Sequence, residues 1–169
     1  SKMEFAYKQP KHQDWFDVKV GNVRLTDVDI PGYFSTKELH VGGLWINDVL
    51  LQNLKNRKIP VEPHIVPMIY EGLQKAPVRF KIDTASIANF SVVYEELPVK
   101  GDKPGKLYFT DMNGQFSGLT NIVSYPEQFI RLHADGNLMG SGHFTATWQL
   151  PVDSLYDRFL LDARLDSLD

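Results

Sequence analysis

The strongest constraint on this chain is the strict alternation of apolar and polar residues between positions 129 and 150. Ile130, Leu132, Ala134, Gly136 and Leu138 take the even positions, and Arg131, His133, Asp135 and Asn137 lie between them. A period of two puts the two sets on opposite faces of a half-buried strand. Gly140-Ser141-Gly142 then reads as a turn. After it, Phe144, Ala146, Trp148 and Leu150 alternate with His143, Thr145, Thr147 and Gln149. The two runs predict an antiparallel hairpin. Pro151 closes it, because proline has no N–H to give to an interior ladder. A last strand is expected with Phe159, Leu161, Ala163 and Leu165 on one face and Asp162, Arg164 and Asp166 on the other.

Strand patterns also cover residues 16–20, 23–30, 37–41, 44–51, 78–82, 86–95 and 106–116. Pro31-Gly32 suits the centre of a type II turn, and residues 100–105 form a polar hairpin loop. One helix is predicted near residues 65–76. Ile65, Met68, Ile69, Gly72 and Leu73 share a stripe, Pro67 suits the first turn, and Pro77 blocks continuation. The expectation is an all-β fold with that one short α-helix: a mainly antiparallel, strongly curved sheet forming a groove or a sandwich. Its parts are a first β unit (1–58), a linker with the helix (59–77) and a second β unit (78–169). A degenerate internal repeat supports two units. Val18 and Val23 overlay Ile82 and Ile87, and the 44–49 stretch overlays 107–112, one residue out of step.

Composition narrows the function. With 169 residues the chain can bury a sizeable core. The net charge of −3 gives no reason to expect nucleic acid or an anionic membrane surface. The absence of cysteine removes disulfides, thiolate catalysis and cysteine zinc sites. No apolar run is long enough for a transmembrane helix, and residues 1–7 lack the pattern of a signal peptide. The final strand stops without a turn or tail, so the chain is expected to continue beyond it in a longer protein.

No phosphate-binding, zincin or EF-hand motif occurs. In the predicted hairpin His143 faces residue 138 or 139, which leaves His133 roughly 17–20 Å away, too far to share a metal. His12, His40 and His64 fall in different elements. Gly140-Ser141-Gly142-His143 lacks the strand–turn–helix setting of a nucleophile elbow. Glu95 and Glu96 are neighbours on a strand and point to opposite faces. Asp48 and Asp111 mark strand ends or bulges. No catalytic residue, metal or cofactor is therefore expected. A hydrolase using Glu95, Asp111 or Asp135 would need two of them in one cleft. Trp15, Trp45 and Trp148 raise the alternative of a glycan-stacking surface.

The apolar strand faces must be covered by something. A closed core is the simpler outcome on composition. The other is a trough lined by Leu132, Leu138, Phe144, Ala146, Trp148, Phe159 and Leu161, able to take an acyl chain.

The second half resembles a known family. The relevant order is Phe80-Lys81-Ile82-Asp83, then Ile87, Phe90, Val92 and Tyr94-Glu95-Glu96, then residues 105–113 (Gly-Lys-Leu-Tyr-Phe-Thr-Asp-Met-Asn). Leu138-Met139-Gly140-Ser141-Gly142-His143-Phe144, Trp148-Gln149-Leu150-Pro151 and the 159–169 stretch complete it. This order resembles the AsmA-like bacterial envelope proteins, related to TamB, over residues 78–169 and more weakly over 16–55. The resemblance implies a non-enzymatic, periplasmic segment in the envelope of a Gram-negative bacterium, with its membrane anchor elsewhere in the full-length protein. It implies an apolar β-groove that carries phospholipid and serves outer-membrane biogenesis, with no cofactor. Two departures stand out: no anchor lies in this sequence, and the 65–76 helix interrupts the strands. A glycan- or protein-binding module and a structural spacer are the alternatives.

Overall fold

The computed structural model of the chain describes residues 2–60, 69–153 and 158–166. Seven strands form one open sheet in sequence order: β1 (Trp15–Val28), β2 (Glu38–Asn56), β3 (Arg79–Leu97), β4 (Gly105–Thr120), β5 (Phe129–Leu138), β6 (Gly142–Pro151) and β7 (Leu160–Asp166). All neighbours are antiparallel except β2 and β3, which run parallel. The all-β expectation holds, and the sheet does not close into a barrel. The predicted hairpin is β5–β6, with Ile130 opposite Leu150 and Leu138 opposite Gly142. Its register differs slightly from expectation. His143 faces Asn137, so His133 lies four positions along, roughly 13 Å away and still beyond a shared metal.

The early strands are longer than the sequence pattern suggested. Residues 16–20 and 23–30 fuse into β1 up to Val28; 37–41 and 44–51 fuse into β2; 78–82 and 86–95 fuse into β3. What separated the pieces is a pair of bulge lines. Gly21, Asp48 and Asn89 are skipped in the pairing of β1, β2 and β3, and β4 shifts register around Asp111. Asp48, Asn89 and Asp111 all have positive φ, between 53° and 59°. In each strand two residues replace one, so Val20 and Val23, Ile46 and Val49, Ile87 and Phe90, and Phe109 and Met112 keep the same face. A second line passes through Asp27, Gly42, Asp83 and Gly118, again skipped in register. Bulges bend a strand and increase its twist, and lines of them across adjacent strands curve the whole sheet.

Asx side chains tie the first line together. Asn89 Nδ2 donates to Asp48 Oδ1 at 2.6 Å, Asn113 Nδ2 to Asp135 Oδ2 at 3.4 Å, and Asn137 Nδ2 to Asp111 Oδ2 at 3.2 Å. Short polar side chains tolerate the left-handed region best. Asp48→Val should therefore lose about 1–3 kcal/mol in urea unfolding, and Asp48→Gly much less, since glycine keeps the backbone.

Two helices were not foreseen. α1 (Lys2–Lys8) buries Ala6 against Leu54 and Leu97, and Asn56 Nδ2 donates to the Ala6 carbonyl at 2.9 Å. By alternation Leu54 and Leu97 lie on the face opposite Leu51 and Val92. α2 (Ile30–Thr36) replaces the expected type II turn at Pro31-Gly32. Asp29 caps it by accepting from the Gly32 N–H at 2.8 Å, and Pro31 falls in the first turn, where its missing N–H costs nothing. The expected 65–76 helix is present as α3 (Ile69–Gln74); positions 65–68 lie outside the described residues. Leu73 of α3 packs on Ile130, Leu150 and Val152. Asn121 Nδ2 donates to the carbonyls of Leu73 and Val78, and its Oδ1 accepts from the Phe80 N–H. α3 is thus fastened over one end of the apolar face.

Candidate functional site: an apolar trough

Cross-strand register assembles one face from all seven strands. Val23, Ile46, Ile87, Gly114, Ala134, Ala146 and Ala163 stand in a single row. From β4 to β7 that row holds only glycine and alanine. The next row on one side carries Phe116, Leu132, Trp148 and Leu161. On the other side Phe144 sits between Gly136 and Leu165, and its ring meets Phe109 edge-on at 5.6 Å. Bulky walls around a small-residue floor make a depression. A cleft of about 460 Å³ lies there, with Ile87, Phe90, Val92, Phe109 and Met112 completing its lining. That size falls within the range of small-ligand pockets.

Gly136 is what lets Phe144 lie down on the sheet. A Cβ there would stand 2.6 Å from Met112 Cγ and 3.0 Å from Phe144 Cε1. Any side chain at 136 would lift the ring and open the wall.

The structure brings Leu132, Phe144, Ala146 and Trp148 together around this cleft. Leu138 is on the same face, between Phe109 and Gly142 at the end of β5. Leu161 pairs with Trp148 at the edge of the face and is half exposed. Phe159 precedes β7 and is exposed. The β3 and β4 contributors were missed by the sequence reading. Alternation changes phase at Ala88-Asn89 and Thr110-Asp111, and a bulge had to be assumed to follow it.

The trough changes character toward the C-terminal end of β3. Asn53 pairs with Tyr94 there, on the face of Leu51 and Val92. Tyr94 Oη donates to Glu96 Oε2 at 2.6 Å, and Arg57 pairs with Glu96 at 3.2 Å. Partial burial and this hydrogen bond push the Tyr94 phenol up from 10.0 to about 12. The same bond, followed by Arg57, holds Glu96 below the usual carboxylate value. The signs follow by linkage. The Tyr94 contribution is full below pH 10 and is lost as pH rises toward 12. The Glu96 contribution is full at neutral pH and is lost as pH falls below the ordinary carboxylate range. Ultraviolet titration should show one tyrosine ionising near 12, and Glu96→Gln should bring it down.

The other sequence candidates do not converge. Trp148 is on the apolar face, Trp45 on the opposite one, and Trp15 packs beside α1, so the three tryptophans share no surface. Glu95 is paired with Lys2, while Asp111 and Asp135 meet asparagines at the bulge line. Among the described residues no group of three histidines or carboxylates is placed to hold a metal. No helix among them is long and apolar enough to cross a membrane. No protein-family model matches the chain, and no curated protein matches it.

Proposed function

We propose that this chain is a segment of an AsmA-like envelope protein, acting in the periplasm of a Gram-negative bacterium, and that its trough holds the acyl chains of phospholipid. The observation that carries the reading is the apolar face that crosses all seven strands and deepens into a cleft with almost no polar group in its walls. A closed core would have buried such a face. Here the edge strands leave it open on both sides, with Phe16, Val18, Leu161 and Leu165 exposed on it.

Water contact with so much apolar surface is unfavourable, and each methylene moved from water into it gains about 0.8 kcal/mol. The contact has no direction, so a chain can slide along it. Sliding suits transport, and the reading includes no bond-making step and no cofactor. The anchor in the inner membrane and a role in outer-membrane biogenesis belong to the same proposal, through the family resemblance of residues 78–169.

Native mass spectrometry of the protein purified from a bacterial host, with lipid extraction alongside, tests it. The expected result is co-purifying phospholipid that disappears in Phe144→Asp while the circular dichroism stays unchanged. A lipid-free protein that also ignores added phospholipid vesicles overturns the reading and leaves a spacer.

A further inference from the structure

The back of the sheet carries a second hollow, of about 690 Å³, which shares only Phe116 and Leu132 with the cleft of the trough. Register sets its centre as a straight row: Arg24, Trp45, Ser86, Gln115, His133 and Thr147, one from each of β1 to β6. A parallel row two residues away adds Thr84, Ser117 and Arg131. These are the polar positions of strands whose apolar positions line the trough.

Trp45 is the unusual member, an indole on a polar face, 37% exposed. It is held in place. A Cβ on Gly43 would stand only 2.0 Å from the indole Cη2, so the ring lies across the bare backbone of that glycine. The Arg24 guanidinium stands 5.7 Å from the ring centroid. The indole is thereby fixed as a platform, with little rotamer freedom left to lose on binding.

The polar groups beside it are uncommitted. Ser86, Gln115, Ser117 and Arg131 make no side-chain hydrogen bond or ion pair among the described residues, whereas Thr84 donates to the Gly42 carbonyl and Thr147 meets His133 at 3.1 Å. Arg131 lines the hollow, the Arg24 guanidinium borders it at Trp45, and no carboxylate lines it, the nearest in the row being Asp162 beyond Thr147. Trp45 and His133 are three strands apart, about 14 Å.

We infer that this hollow binds a carboxylated oligosaccharide. One sugar ring stacks its C–H face on Trp45. Hydroxyls further along meet Ser86 and Gln115, and a uronic-acid carboxylate takes the forked donors of Arg131. The site is independent of acyl-chain binding, because it lies on the other side of the sheet.

Isothermal titration of the 169-residue chain with a galacturonate hexamer, at ~0.15 M salt where weak surface attraction is screened, tests the inference. The expected result is saturable binding, weakened at least tenfold by Trp45→Ala and, separately, by Arg131→Gln. A neutral glucose hexamer should bind at least tenfold more weakly than the acidic one. Both side chains are exposed, so the variants should keep the parent circular dichroism. Absent binding overturns the site, as does binding indifferent to Trp45→Ala, which marks general attraction of a polyanion. Equal binding of the neutral hexamer overturns the carboxylate assignment.

Discussion

Ala134→Trp should empty the trough without unfolding the protein. Position 134 is on the floor, between Gly114 and Ala146, and its side chain points away from the hydrogen-bonded ladder. An indole there enters open space rather than a packed interior, so the usual overpacking cost does not arise. It occupies the volume an acyl chain would need. Co-purified phospholipid should fall at least tenfold, with stability in urea within about 0.5 kcal/mol of the parent. Thr145→Trp, on the opposite face of β6, should leave lipid content unchanged. Equal lipid in the Ala134→Trp protein would show that the trough is not where lipid sits.

Ile130→Ala should be the most destabilising single truncation at the covered end of the sheet. Ile130 is 1% exposed and packs with Leu150 and Val152, with Leu73, Phe116, Leu119 and Trp148 around them. Truncating a buried isoleucine leaves a cavity that its neighbours fill only partly, and costs about 2–5 kcal/mol. Domain stabilities are commonly about 5–15 kcal/mol, so a loss of this size is visible at once in the urea midpoint. Leu161→Ala, at a half-exposed edge position, should cost under about 1 kcal/mol. The contrast between the two measures how unevenly this protein is covered. One end is sealed by α3, and no other described element covers the rest of the apolar face.

Legibility in the sequence followed the bulges. In β5–β6, where no bulge intervenes, alternation predicted the faces and the hairpin, and Leu132, Phe144, Ala146 and Trp148 meet around the cleft. In β1 to β3 three breaks in alternation read as strand ends, whereas those at Asp48 and Asn89 fall within single predicted strands. Gly21-Asn22, Gly42-Gly43 and Asp83-Thr84 are instead interior bulges of long strands. A glycine or Asx pair between two in-phase apolar runs is the local signal for that, and it resembles the signal for a turn. Asp48 and Asp111, read as strand ends or bulges, are bulges. The short helices were hidden for a different reason. α1 is held by one alanine against Leu54 and Leu97, distant in sequence, and α2 by its Asp29 cap, which competes with a turn reading of Pro31-Gly32. The parallel pairing of β2 with β3 has no local signature at all, since it depends on where a long connection returns.

That parallel pair also dictates an order of assembly. Glu38 meets Arg79 and Asn56 meets Leu97, an offset of 41 residues at both ends (79 − 38 and 97 − 56). The β5–β6 ladder closes across only Met139, Gly140 and Ser141. Short loops close early and long ones late. Once β1 and β2 have paired, the inner rim of β2, nineteen residues long, waits for β3 to dock. Unsatisfied rims of that length recruit strands from other chains. The most vulnerable stage for this protein is therefore the interval between closure of the β1–β2 ladder and the docking of β3, when a holding chaperone would have most to do.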